Sequence, residues 1–264
     1  MKKTIQSFII DYVKTEDEHG LIPNIWREPL VRFGDVKHPE LEDLRRLVHP
    51  EHVIPRLLFP EARTIIAYFI PFTKAIGDSN IKGRLSSKEW AMAYEKTNAA
   101  ISRLNEALIE FLKTRGIRAA VPVEAGWYDE SVLKSKWSYR HIARLCGLGT
   151  FGKNNMLITE AGCCGRLGVL VTDLDIAPDV PIVEEYCLYK KDGSCGACIP
   201  RCPSEALSTE GYDRFVCNAL CGENAEVHVG YGTSYKLENT NKALTGTNTC
   251  GKCVVGLPCT YGRP

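Results

Sequence analysis

The chain has 264 residues, a net charge of +1, 44% hydrophobic and 25% charged residues, and 12 cysteines. That length suits one large domain or two ordinary ones, with enough chain to bury a core, and the composition is that of a soluble globular protein. The balanced charge exerts no bulk pull on nucleic acid or anionic membrane, and no apolar run of about 18 residues is present to cross a bilayer.

The N-terminus begins like a signal peptide, but Asp11, Glu16 and Glu18 break its apolar region, so the chain is expected to be cytoplasmic. Ile5, Phe8, Ile9 and Tyr12 fall instead on one face of a helix. Residues 20–60 carry six prolines and read as ordered loop, with one short helix from Pro39 to Val48. Arg63 to Ile70 reads as a buried strand closed by Pro71. Ser86 and Glu89 have capping-box spacing, and a long helix follows to Arg115, ended by Gly116. Ile117 to Glu124 reads as a strand, Ser135 to Cys146 as a helix, and Met156–Thr159 and Leu167–Thr172 as two further strands. A boundary is expected near Pro178 to Pro181, dividing the chain into 1–180 and 181–264.

Between the last helix and the strands lies Gly147-Leu-Gly149-Thr-Phe-Gly152-Lys153-Asn154. It has the G-x-G-x-x-G spacing of a dinucleotide site, but that site needs a strand before it and a helix after it, and here the order is reversed. Two readings remain. One is a glycine turn; the other is a loop whose backbone approaches a bulky cofactor, with Lys153 and Asn154 making polar contacts.

The last third carries most of the thiols. Cys187, Cys195, Cys198 and Cys202, the last followed by Pro203, have a spacing close to that of bacterial ferredoxins, which hold iron–sulfur clusters through Cys thiolates. A short helix from Ser204 to Leu207 is expected after the proline. Cys217, Cys221, Cys250, Cys253 and Cys259 form a second set. With ligand crossing between motifs, Cys187, Cys195, Cys198 and Cys259 would hold one [4Fe-4S] cluster, and Cys202, Cys217, Cys250 and Cys253 the other, with Cys221 a rival to Cys217. Cys195-x2-Cys198 and Cys250-x2-Cys253 are also zinc-ribbon spacings, and disulfides are the weakest reading at this cysteine density. Cys146, Cys163 and Cys164 have no partner spacing in the array and read as buried structural thiols.

Taken in order, Pro60 to Pro71, the Gly147–Asn154 loop, Leu167-Gly-Val-Leu-Val-Thr-Asp173 and the double cysteine array resemble the epoxyqueuosine reductase family. The resemblance implies an α+β fold: an N-terminal cobalamin-reductase-like α+β domain, similar to those of reductive dehalogenases, and a C-terminal ferredoxin-like domain with two [4Fe-4S] clusters. It implies a corrinoid-dependent reductase. Electrons would pass from a ferredoxin or flavodoxin-type donor through the clusters to cobalamin, bound against Gly147, Gly149, Gly152, Lys153 and Asn154. The family's proton-donating position matches Glu124, and Tyr139 and His141 are further acid–base candidates, with Arg140 between them and Asp129 read as a solvated loop residue.

The chain departs from the family pattern. Seven residues separate Cys187 from Cys195, five separate Cys253 from Cys259, and Pro258 precedes the last thiol. The helical-repeat extension of the tRNA-modifying members does not follow Pro264. That, with the near-zero charge, leaves tRNA a doubtful partner and points to a small-molecule substrate without membrane association. The alternative functions are an electron-transfer or cobalamin-handling protein without its own substrate, and a zinc-stabilised binding module.

Overall fold

The protein is described by a computed structural model covering residues 1–18, 24–121, 128–231, 235–236 and 245–264. Its centre is an antiparallel sheet of order β1-β2-β8-β3, formed by β1 (Leu30–Asp35), β2 (Thr64–Pro71), β3 (Ala119–Ala120) and β8 (Gly165–Thr172). Every residue of β2 is buried, because alternate side chains enter two different cores. Ile66, Tyr68 and Ile70 point to one face, where α1 (Lys2–Glu18) and α5 (Lys88–Lys113) pack through Ile5, Ile9, Leu104 and Leu108. Ile65, Ala67 and Phe69 point to the other, covered by α2 (Glu40–Leu47) and α6 (Tyr139–Leu145) through Leu41, Leu44, Ile142 and Leu145. The continuous apolar run in the sequence is the signature of a strand covered on both sides.

The helices and strands expected from periodicity are present, with α1, α2, β2 and α5 within a few residues of their expected bounds. Gly116, at φ +71°, follows the last turn of α5. Other expectations are corrected. The cap of α5 is Ser87, whose side chain accepts from Trp90 N at 3.0 Å. Ser86 is spent elsewhere: its N–H and its hydroxyl both donate to Asn224 Oδ1 at 2.6 Å. β1 emerges from the proline-rich stretch, paired so that Phe33 faces Ile66. Arg32, Gly34 and Asp35 interrupt its apolar pattern, which hid it. Of the strand expected over Ile117–Glu124, β3 is the described part.

Short elements fill the rest: α3 (Pro55–Leu58), α4 (Lys74–Ser79), the hairpin β4 (Tyr128–Asp129) with β5 (Lys134–Ser135), and the hairpin β6 (Gly149–Phe151) with β7 (Leu157–Thr159). Beyond residue 180 come α7 (Leu188–Lys191), α8 (Arg214–Val227), and the paired β9 (Tyr235–Lys236) and β10 (Thr245–Gly246). Residues 204–207 do not form the expected helix. Glu205 takes φ +58°, which ends helical continuation, and Leu207 bridges to Tyr212. The helix α8 was not anticipated; Asp213 caps it, and its Phe215, Val216 and Val227 are exposed, which blurs the apolar stripe. The α5-side core takes in Tyr186, Cys187, Val254 and Val255, so the cysteine-rich segment packs on the same apolar surface as β2.

Candidate functional site

All twelve cysteines are free thiols. Four of them, Cys187, Cys195, Cys198 and Cys259, line one pocket together with Gly152, Lys153 and Asn154. Three separate segments build it. Cys187 caps α7, Cys195 and Cys198 follow in the next turns, and Cys259 comes from the C-terminal segment. The turn of the β6–β7 hairpin closes the side: Lys153 N donates to Cys187 Sγ at 3.3 Å, and Asn154 Nδ2 donates to Cys253 O at 2.7 Å. Burial pushes the Cys198 thiol up to about 11. Cys259 is held below the usual thiol range, because the Cys163 thiol, 3.8 Å away, donates to it.

The remaining thiols form a second neighbourhood. Cys217 and Cys221 stand one turn apart on α8, and the Cys221 thiol donates to Cys217. That bond, helped by Tyr212 and by the Arg140 charge, brings Cys217 down to about 6. Burial raises Cys250 to about 11, with charge on Cys217 and Cys202 adding to it, and burial also drives Cys253 well up, next to Cys250, Cys217 and Cys202. Among the described residues no three His, Cys, Asp or Glu groups converge tightly enough to share one metal ion. The donors of a cluster stand at its separate corners and need no such convergence.

Helix α6 presents the acid–base candidates. Ser138 Oγ lies 2.7 Å from His141 Nδ1, and the His141 ring packs on Phe151 at 4.7 Å between centroids. Burial, reinforced by Arg140, lowers His141 to about 4. Tyr139 is raised by burial. Arg140 is bound through its guanidinium to Asn155 O; burial lowers it, with Arg166 and Arg214 adding positive charge and Tyr212 and Cys253 opposing. Asp129 is not simply solvated. It accepts from Ser131 and meets His49 Nε2 at 3.1 Å, and these partners bring it to about 2, which makes it a poor proton donor at neutral pH.

No family model matches the chain. Among curated proteins, an epoxyqueuosine reductase of Listeria monocytogenes is 28% identical over 192 residues, covering 70% of this chain and 44% of the relative. One of Lactococcus garvieae is 30% identical over 168 residues, covering 61% and 43%. An epoxyqueuosine reductase crystallised with an epoxyqueuosine-modified tRNA-Tyr stem loop superposes with a TM-score of 0.59 at 21% identity, covering 99% of this chain and 66% of that one. The Streptococcus thermophilus enzyme gives 0.58 at 18% identity, covering 100% and 68%. The chain is similar in sequence and in fold to the epoxyqueuosine reductases.

It spans less than half the length of these curated epoxyqueuosine reductases. The solved epoxyqueuosine reductases share its mixed α and β fold. They also correct the expectation that tRNA is doubtful and the substrate a small molecule: the relative's crystal holds a modified tRNA stem loop. The physical error was to read a sum as a surface. A net charge of +1 says nothing of where charges lie, and Arg166 and Arg214 each stand within electrostatic reach of Arg140.

Other residues read from the epoxyqueuosine reductase resemblance fall as follows. Glu124 lies outside the described residues. The three loop glycines are explained within the protein. A Cβ on Gly147, which has φ +81°, would press on Val180 O; one on Gly149 would enter Ile158 O across the hairpin; one on Gly152 would meet Asn154 Oδ1. Lys153 Nζ donates to Thr209 O at 2.8 Å, and Asn154 Oδ1 accepts from Met156 N at 3.2 Å. Tyr139 and His141 are on α6, beside the hairpin that closes the cysteine pocket. Sequence reasoning missed Arg166, Tyr212 and Arg214: Arg166 is far in the chain from the other two, and none of them belongs to a motif.

Proposed function

We propose that the chain is an iron–sulfur oxidoreductase of the epoxyqueuosine reductase type, acting on a modified nucleoside carried by tRNA. The observation that carries this reading is the pocket in which Cys187, Cys195 and Cys198 meet Cys259 from a distant stretch of chain, closed by the β6–β7 turn. All four are free, none is used in a disulfide, and a backbone N–H already donates to one of the sulfurs, as cluster sites require. Cys202, Cys217, Cys250 and Cys253 are the proposed second set. Cys221, one turn further along α8, is the rival to Cys217 for that place. Bound to these sets, two [4Fe-4S] clusters supply one-electron transfer.

The chain's own groups supply the rest. Arg140, half-buried and within electrostatic reach of Arg166 and Arg214, gives positive charge near the second thiol set, suited to meeting a phosphate backbone. Glu124 remains the proposed proton donor, while His141, neutral at neutral pH, can hydrogen-bond but has no acidic proton to give. The glycines and both polar side chains of the loop read as a corrinoid cradle have partners within the protein, so no step here is routed through cobalamin.

Anaerobic purification with iron, sulfide and zinc analysis tests the reading. About eight irons and eight sulfides per chain are expected for two cubane clusters, and a zinc-dominated content refutes it. Binding of an epoxyqueuosine-modified stem loop, weakened by Arg140→Ala or Arg214→Ala, tests the substrate; no binding by cluster-loaded protein would move the reading to an electron-transfer protein.

A further inference from the structure

We propose that the Cys163 thiol is a hydrogen-bond donor to the Cys259 sulfur and raises the reduction potential of the cluster that Cys187, Cys195, Cys198 and Cys259 would hold. The inference rests on that cluster reading and adds a residue that no ligand pattern includes.

Cys163 Sγ lies 3.8 Å from Cys259 Sγ and 3.9 Å from Val254 O, with only 5% of the residue exposed. A thiol has one hydrogen to give, and these are the two acceptors within reach. The spacing is built by the backbone rather than by side-chain chance. Cys163 N donates to Cys259 O at 2.9 Å, and Cys164 N donates to Thr260 O at 3.2 Å. Gly162 has φ +86°, and a Cβ there would collide with the Thr260 carbonyl, so only glycine lets the two segments run this close. Arg27 fastens both: Nη2 donates to Ala161 O at 2.7 Å and Nη1 to Tyr261 O at 3.2 Å.

A ligating thiolate is an acceptor only, and it carries more negative charge when the cluster is reduced. A donor fixed against it therefore stabilises the reduced form more than the oxidised one, and hydrogen bonds to cluster sulfurs are among the levers that set such potentials.

The test is a redox titration, followed by electron paramagnetic resonance, of the full chain reconstituted anaerobically. Wild type, Cys163→Ala and Cys163→Ser are compared. Cys163→Ala is expected to retain the wild-type iron count and to shift the oxidised-to-reduced ratio of this cluster about tenfold toward oxidised at fixed potential, about 59 mV lower for one electron. Cys163→Ser keeps a donor and is expected to stay close to wild type, and the second cluster is expected not to move. An unchanged potential in Cys163→Ala at full iron content overturns the inference alone, and loss of the cluster in that variant overturns it by making Cys163 a ligand. Wild-type protein without iron overturns the cluster reading and this inference with it.

Discussion

His52 and His141, on either side of the start of α6, are both brought to about 4 by burial, and both are neutral at pH 7. His52 Nε2 accepts from Ser138 N at 3.0 Å, and His141 meets the hydroxyl of that same serine. Their folded values lie below the unfolded value of about 6.5. The stability they contribute is therefore fully present above pH 6.5 and is lost as pH falls toward 4, because the unfolded chain takes up protons that the folded one refuses. A loss of roughly 1 kcal/mol per histidine between pH 6.5 and 5 is expected, after allowing for solvent access to the rings. Urea unfolding of wild type and of a His52→Gln, His141→Gln double variant at pH 7 and 5 checks this. Equal slopes with pH in the two proteins would contradict it.

At the level of elements, two local devices invite direct tests. Ser87 caps α5, so Ser87→Ala is expected to cost about 1 kcal/mol and Ser87→Gly only a few tenths, read from thermal or urea unfolding. If Ser86→Ala alone were costly through the helix terminus, the cap would have been assigned to the wrong serine. The β6–β7 hairpin sets the second test. Gly149 pairs with Thr159, and any side chain there enters the Ile158 carbonyl. Gly149→Val is expected to lower stability by at least roughly 1–3 kcal/mol as overpacking, before any cofactor is added. A fully stable Gly149→Val protein would return this glycine to a cofactor role.

Across the whole molecule, the cysteine-rich segment is fastened to the sheet domain by buried polar contacts. Lys252, 2% exposed, donates through Nζ to Asn80 O at 2.9 Å and Lys82 O at 2.7 Å. Asn80 Nδ2 donates to Cys250 O at 2.8 Å, and its Oδ1 accepts from Ser87 N at 3.0 Å, joining the second thiol set to the start of α5. Trp90 Nε1 donates to Thr249 Oγ1 at 3.1 Å in the same layer. Lys252→Met keeps the stem but leaves two carbonyls without their donor, at roughly 1–3 kcal/mol. Because the core is shared, helix content and iron–sulfur absorbance are expected to disappear together on heating. Two separated transitions would show that residues 1–180 and 181–264 unfold independently.

Much of this architecture is written in local pattern. The unbroken apolar run of β2, the stripe of α1, the long α5 ended by Gly116 and the inventory of thiols each depend on residues close in sequence, where period and turn chemistry decide. What sits across from what depends on long-range packing. No spacing rule shows that Cys163 lies against Cys259, that Ser86 is taken by Asn224 and leaves the cap to Ser87, or that Gly149 is a glycine because Ile158 is its hairpin neighbour. The charge total was equally uninformative, since Arg166 on β8 and Arg214 on α8 reach Arg140 on α6 only in the folded chain. The sequence by itself determined the strongly patterned elements and the donor chemistry, because those are local. The tertiary structure decided which donors share a pocket, because that is a matter of how distant segments are held together.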